Sequence, residues 1–177
     1  FWEYMLRELA RQWYAVVTID YSQASKWDSE SEKNYFPRAI QDVRCAIRYF
    51  KSGRDTNLRF IDTEKIGVIG TSAGGHIALL LGTSEYIEDF NDEECPYSST
   101  ISPRVQSVVA MYPSTRFYTT WWKEWEQYKN VSKENDFYKI FGSQPSQNIE
   151  LIKKWSPQYH AEKYTWESYI PPMLFID

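Results

Sequence analysis

The run Gly70-Thr71-Ser72-Ala73-Gly74-Gly75-His76, set directly behind the apolar stretch Lys65-Ile66-Gly67-Val68-Ile69, constrains this chain more than any other feature. A strand that closes on G-x-S-x-G and passes at once into the segment Ile77-Ala78-Leu79-Leu80-Leu81 describes a nucleophile elbow. Such a turn tolerates only small neighbours, so Gly70 and Gly74 are expected to let the backbone bend while Ser72 Oγ stands clear. The Ala73 amide, at the helix N-terminus, is expected to point where a tetrahedral oxyanion forms. At average glycine and serine usage the bare pattern arises by chance about 0.06 times in a chain this long. The flanking strand and helix make coincidence rarer still. Ser72 is therefore predicted to be a nucleophile, against the plainer alternative of a tight turn without chemistry.

Composition narrows the remaining possibilities. A chain of 177 residues is one domain's worth, enough to bury about 70% of its unfolded surface. Its net charge of −4 is mild and its Lys and Arg are scattered, which argues against a nucleic-acid partner. No apolar run approaches the roughly 20 residues of a membrane span. No leader is visible at Phe1, but a start at Phe-Trp-Glu without Met reads as internal sequence, so the point says nothing about export. Cys45 and Cys95 make no metal-ligand spacing. They read as two isolated thiols in preference to a disulfide, which leaves the redox compartment open.

Along the chain, Trp2, Met5, Leu6, Leu9, Ala10 and Trp13 share one helical face, which predicts a helix over residues 2–13. The β-branched run Ala15-Val16-Val17-Thr18-Ile19-Asp20 predicts a central parallel strand covered on both faces. Residues 21–36 read as loop. A second helix is expected from Pro37, a favoured first helical position, with Ile40, Val43, Ala46, Ile47 and Phe50 as its core stripe and Gly53 as terminator. The elbow helix runs to Thr83. Residues 84–104 form a polar loop with six acidic residues between Glu85 and Glu94. Such a charge could suit calcium, but the EF-hand spacing is absent, and the loop reads as solvated. Val105–Met111 predicts a further buried strand and Met173–Asp177 a last strand, with helical pieces and loops over 114–160. Strands alternating with helices argue for a mostly parallel, doubly wound α/β sheet with helices on both faces. Ser72 then lies at a strand's carboxyl end, where open α/β sheets place their ligands.

On the segments Ala15–Tyr21, Phe36–Asp42, Ile66–His76 and Pro171–Ile176, the chain resembles the α/β-hydrolase esterases, in particular their carbohydrate-esterase and carboxylesterase branch. The resemblance implies a single, partial α/β-hydrolase domain over residues 1–177, incomplete at both ends, with an aromatic-rich excursion or lid at 114–160. It implies a serine esterase acting through an acyl-enzyme on acetyl or feruloyl esters of carbohydrates, with a small-molecule or oligosaccharide ester as partner. No metal or organic cofactor is implied. Relatives carry a His-Gly-Gly oxyanion segment upstream and place the triad acid and histidine downstream, so both are expected outside this chain; Asp177 is not the matching acid. His76, one turn past Ser72 on the same helix, is badly placed as a base. His160, read as a loop residue with some access to the site, comes before the family's acid, against the fold's order of serine, acid and histidine.

The stripe Trp121, Trp125, Tyr128, with Trp122 beside it, would suit sugar rings or feruloyl groups, though aromatic stripes at helical spacing are more often core. Two other functions compete with the esterase. A prolyl-oligopeptidase-like exopeptidase shares fold and elbow, but such enzymes commonly have an aromatic after the serine, where Ala73 stands. A non-catalytic scaffold of this fold usually loses the serine, and Ser72 is intact. Asn130-Val131-Ser132 matches a glycosylation sequon, a weak pattern.

Overall fold

The apolar runs around Ser72, Pro113 and Pro172 become strands β1 (Gly67–Thr71), β2 (Ser107–Met111) and β3 (Met173–Ile176). The computed structural model describes residues 2–23, 36–97, 99–115, 131–132, 135–163 and 169–176. The strands are parallel in the order β1-β2-β3. Their register sets Val68 beside Val108 and Val108 beside Met173, and ends with Thr71, Met111 and Ile176 in one row. Parallel neighbours need long crossovers, and α3 (Ala73–Thr83) begins the one from β1 to β2.

Helix α3 is apolar nearly all round, and every residue from Gly75 to Thr83 is buried. Such a helix belongs inside a domain. It packs on β1 and β2, and Gly82 lets it come close: an added Cβ there would lie 2.6 Å from Met173 Cε and 2.9 Å from Val108 Cγ2. Ile77, Leu79, Leu80 and Leu81 are fully or almost fully buried, each contributing about 1.5–3 kcal/mol.

Behind α3 lies α2 (Arg38–Lys51), which starts one residue after Pro37 and buries Ile40, Val43 and Ile47. The chain turns away at Gly53, whose φ of +64° is the left-handed conformation glycine permits. The same face of α2 also buries Arg44 and Arg48. Arg44 donates to the carbonyls of Ser84 and Ile87, the latter at 2.8 Å, and Arg48 donates to Ile101 O at 2.9 Å. Both guanidinium groups reach Asn91 Oδ1. Burial, with Arg48 alongside, pushes the Arg44 pKa down to about 9, so it stays charged at neutral pH. The acidic loop is thus fastened to α2 from within.

Three short helices follow: α4 (Asp136–Phe141), α5 (Ile149–Trp155) and α6 (Pro157–Lys163). They close the core with edge-on aromatic contacts, Phe36 meeting Phe90 at 5.4 Å, Phe141 at 5.7 Å and Trp155 at 4.8 Å between ring centres. Among the described residues, no helix is long and apolar enough to cross a membrane.

Three expectations are corrected. The first helix, α1 (Trp2–Arg11), stops before Trp13, which takes a φ of +66° just past the helix end and is 97% exposed. The predicted strand Ala15–Asp20 does not form. Residues 14–23 are irregular and join no ladder, and of this stretch only Ile19 and Tyr21 pack against the core. β-Branched content makes a segment fit for a sheet, but a ladder also needs a partner in register. Finally, Cys45 and Cys95 are joined in a disulfide with Cα atoms 5.7 Å apart. Cys45 lies on the flank of α2 away from its apolar stripe, and the loop bound to that helix carries Cys95 back to it.

Candidate active site

The order strand, glycine, serine, helix forces a reversal within a few residues, and the backbone shows it. Ser72 takes φ +52° and ψ −121°, between the last residue of β1 and the first of α3. This is a strained conformation for a residue with a side chain. Two hydrogen bonds hold it: Ser72 N donates to Met111 O at 2.9 Å, and His76 N donates to Ser72 O at 3.0 Å. The side chain is exposed, as is Ala73. Ala73 is the first residue of α3, so its N–H has no acceptor within the helix and is available to an anion at this end.

The glycines divide the work unevenly. A Cβ on Gly70 would fall 2.1 Å from Gly74 O, so that position admits no side chain. Among the described residues, a Cβ on Gly74 would meet nothing nearer than Tyr21 Oη, at 4.0 Å, an ordinary contact. The tight place is Gly75, where a Cβ would sit 2.9 Å from Met111 O and 3.1 Å from Gly70 O. Gly75 is the residue that lets α3 start directly against the sheet, and the G-x-S-x-G pattern does not include it.

Both histidines are engaged elsewhere. His76 is buried; its Nδ1–H donates to Ser114 O at 2.6 Å and its ring lies 4.2 Å from that of Trp155. Burial outweighs its backbone hydrogen bonds and pushes its pKa down to about 4, which keeps the ring neutral. His160 lies on α6, not in a loop, and is equally buried. Its Nε2–H donates to Lys154 O at 2.7 Å, and its Nδ1 accepts from Tyr86 Oη at 2.5 Å. With both nitrogens held, it cannot take a proton from Ser72.

Trp121, Trp122, Trp125 and Tyr128, the Asn130 of the sequon, and Asp177 lie outside the described residues. The acidic loop is bound by arginines: Arg38, itself paired with Asp42 of α2 at 3.2 Å, reaches Asp92 at 3.0 Å, and Arg104 pairs with Glu85 at 2.9 Å. Among the described residues no three His, Cys, Asp or Glu side chains gather as a metal-ligand set. A cleft of about 840 Å³ opens between Ser22, Arg38, Gln41 and this loop, and no elbow residue lines it.

One residue went unsignalled in the sequence. Tyr112 follows β2 as Ser72 follows β1, with φ +50° and its side chain 64% exposed.

The BD-FAE family's sequence model matches residues 1–176. Arylacetamide deacetylase of Mus musculus is 30% identical over 100 residues, covering 56% of this chain and 23% of that protein. The match therefore spans under a quarter of that relative's length. Among solved structures, the bifunctional GH43-CE protein of Bacteroides eggerthii aligns with a TM-score of 0.72 at 22% identity, over 96% of this chain and 20% of that one. A truncated carbohydrate esterase from gut microbiota aligns with a TM-score of 0.59 at 18% identity, over 90% of this chain and 63% of that one. The architecture is the parallel sheet and helices of the α/β-hydrolase fold.

Proposed function

Because this chain belongs to the BD-FAE family, we propose that it carries the nucleophile of a serine carboxylic-ester hydrolase acting on acetyl or feruloyl esters of carbohydrates. The observation that carries the reading is Ser72 itself: an exposed serine held at φ +52° on a strand-to-helix turn, with glycines where a side chain would collide. Strain of this kind persists where surrounding structure over-determines it, and it concentrates at functional sites. Among the names of similar proteins, arylacetamide deacetylase supports removal of an acetyl group and carbohydrate esterase supports cleavage of sugar esters.

In this mechanism Ser72 Oγ attacks the ester carbonyl carbon and gives its proton to a base. The Ala73 N–H donates to the oxyanion as the carbonyl π bond opens. Collapse breaks the bond to the alcohol oxygen, which leaves with the proton from the base. Water then attacks the acyl-Ser72, releases the acid and restores the serine. Since both histidines of the chain are buried and bonded, the base in this reading is a residue other than His76 and His160. Residues 1–177 are taken as part of one α/β-hydrolase domain, with 114–160 as its excursion. The Cys45–Cys95 disulfide favours an oxidising compartment as the place of action.

The test is hydrolysis of a chromogenic acetyl ester by the longest polypeptide carrying this segment, beside its Ser72→Ala variant. Loss of about 10⁴-fold or more in the variant is expected. Equal rates in the two proteins would overturn the reading.

A further inference from the structure

Three described non-glycine residues have positive φ: Trp13, Ser72 and Tyr112. Trp13 sits just past the end of α1, where a left-handed residue commonly stops a helix. Ser72 and Tyr112 share a different setting. The register sets Thr71 beside Met111, so the next residues, Ser72 and Tyr112, leave the carboxyl edge of the sheet side by side. Ser72 N donates to Met111 O at 2.9 Å, and Tyr112 N donates to Ile176 O at 2.7 Å. The peptide between Met111 and Tyr112 is thus bonded to both neighbouring strands.

Tyr112 is doubly out of place by local rules. A bulky side chain at φ +50° is a genuine outlier. Pro113 follows it, and a residue before proline ordinarily takes an extended φ near −120°. Past the proline, His76 of the elbow helix holds the loop through Ser114 O at 2.6 Å. The loop is fixed at both ends, and the conformation it imposes turns a tyrosine outward to 64% exposure. Burial cannot explain the residue. Glycine would satisfy the backbone more easily, and the core would lose nothing by it.

We infer that Tyr112 is a specificity-determining residue that contacts the substrate, its ring packing against a flat, ring-bearing part of the ester held at Ser72. The inference rests on the assignment of Ser72 as nucleophile. A planar phenol offers stacking area with few rotatable bonds. The ring it meets belongs either to the acyl group or to the alcohol, and the substrates below distinguish the two.

The experiment uses the longest polypeptide carrying this segment and compares Tyr112→Gly and Tyr112→Phe with the parent. Three esters are used: methyl ferulate, with the ring in the acyl group; 4-nitrophenyl acetate, with the ring in the alcohol; and ethyl acetate, with none. Tyr112→Gly is expected to lower kcat/KM about tenfold for one of the ring-bearing esters, chiefly through KM, and to leave ethyl acetate within about twofold. Its Tm should equal or exceed the parent's, since glycine accepts φ +50° without strain. Tyr112→Phe should retain the ring-bearing activity. A loss confined to methyl ferulate locates the contact on the acyl side, and one confined to 4-nitrophenyl acetate on the alcohol side. Unchanged kinetics on all three esters would overturn the inference, as would a uniform loss accompanied by a lower Tm. A parent whose hydrolysis does not depend on Ser72 would remove the nucleophile assignment, and this inference with it.

Discussion

At Gly75 an added Cβ would lie 2.9 Å from the Met111 carbonyl, whereas at Gly74 the nearest described atom would be 4.0 Å away. Gly75→Ala is therefore expected to lower stability by about 1–3 kcal/mol, the usual range for forcing atoms into a packed site, and Gly74→Ala by under about 1 kcal/mol. Urea titration of both variants checks the contrast; equal losses would show that the first turn of α3 does not lie as described. His76 supplies a pH test. Its folded pKa, near 4, lies below the unfolded value of 6.5. The unfolded chain therefore binds the proton more readily between those values. The contribution is complete above about pH 6.5 and is lost as pH falls toward 4, to a limit of roughly 3 kcal/mol. His160, also lowered by burial, acts in the same direction. Urea midpoints at pH 7 and pH 4.5 should differ less in His76→Gln than in the parent. Ser72 was legible because an elbow is spelled within five consecutive residues. Tyr112 was not, since its meaning lies in a strand register that joins residues 40 positions apart.

Among the elements, α2 has the least expected interior. Ile40, Val43 and Ile47 mark its buried face in the sequence, but Arg44 and Arg48 occupy the same face. Read by type, arginine goes to the surface. Here the two side chains serve carbonyls at Ser84, Ile87 and Ile101 that the fold removes from water. Arg44→Met should therefore leave buried acceptors unpaired and reduce stability by about 3 kcal/mol, seen as a lower urea midpoint with an unchanged slope. A midpoint equal to the parent's would mean that water replaces the guanidinium. Helix α3 and strands β1, β2 and β3 were readable because their apolar runs are nearly unbroken. The run Ala15–Asp20 looks the same as sequence yet stays irregular, because pairing depends on what stands opposite. His160 reads as a loop residue in the sequence for a related reason: α6 spans only Pro157–Lys163, too short for a visible period.

For the molecule as a whole, the Cys45–Cys95 link closes a loop with a sequence separation of 50. Chain-entropy reasoning gives about 4 kcal/mol for a loop of that length. The Cys45→Ser, Cys95→Ser double variant should be destabilised by an amount of that order, measured against the oxidised parent in urea. No measurable change would mean that the arginines alone hold the loop. Two cysteines fifty positions apart carry no pairing information in sequence; the shared face of α2 and its loop supplies it. The parallel sheet has one more consequence, in the order of synthesis. Strands β1 and β2 can pair once the chain has emerged to Met111, but β3 follows about sixty residues later. At ribosomal rates of about 5–20 residues per second, the far edge of β2 stays open for several seconds. Any nascent neighbour bearing an apolar strand can compete for that edge in the meantime. A translational pause before Pro171 would lengthen the exposure, and a chaperone that covers β2 would matter most in that interval.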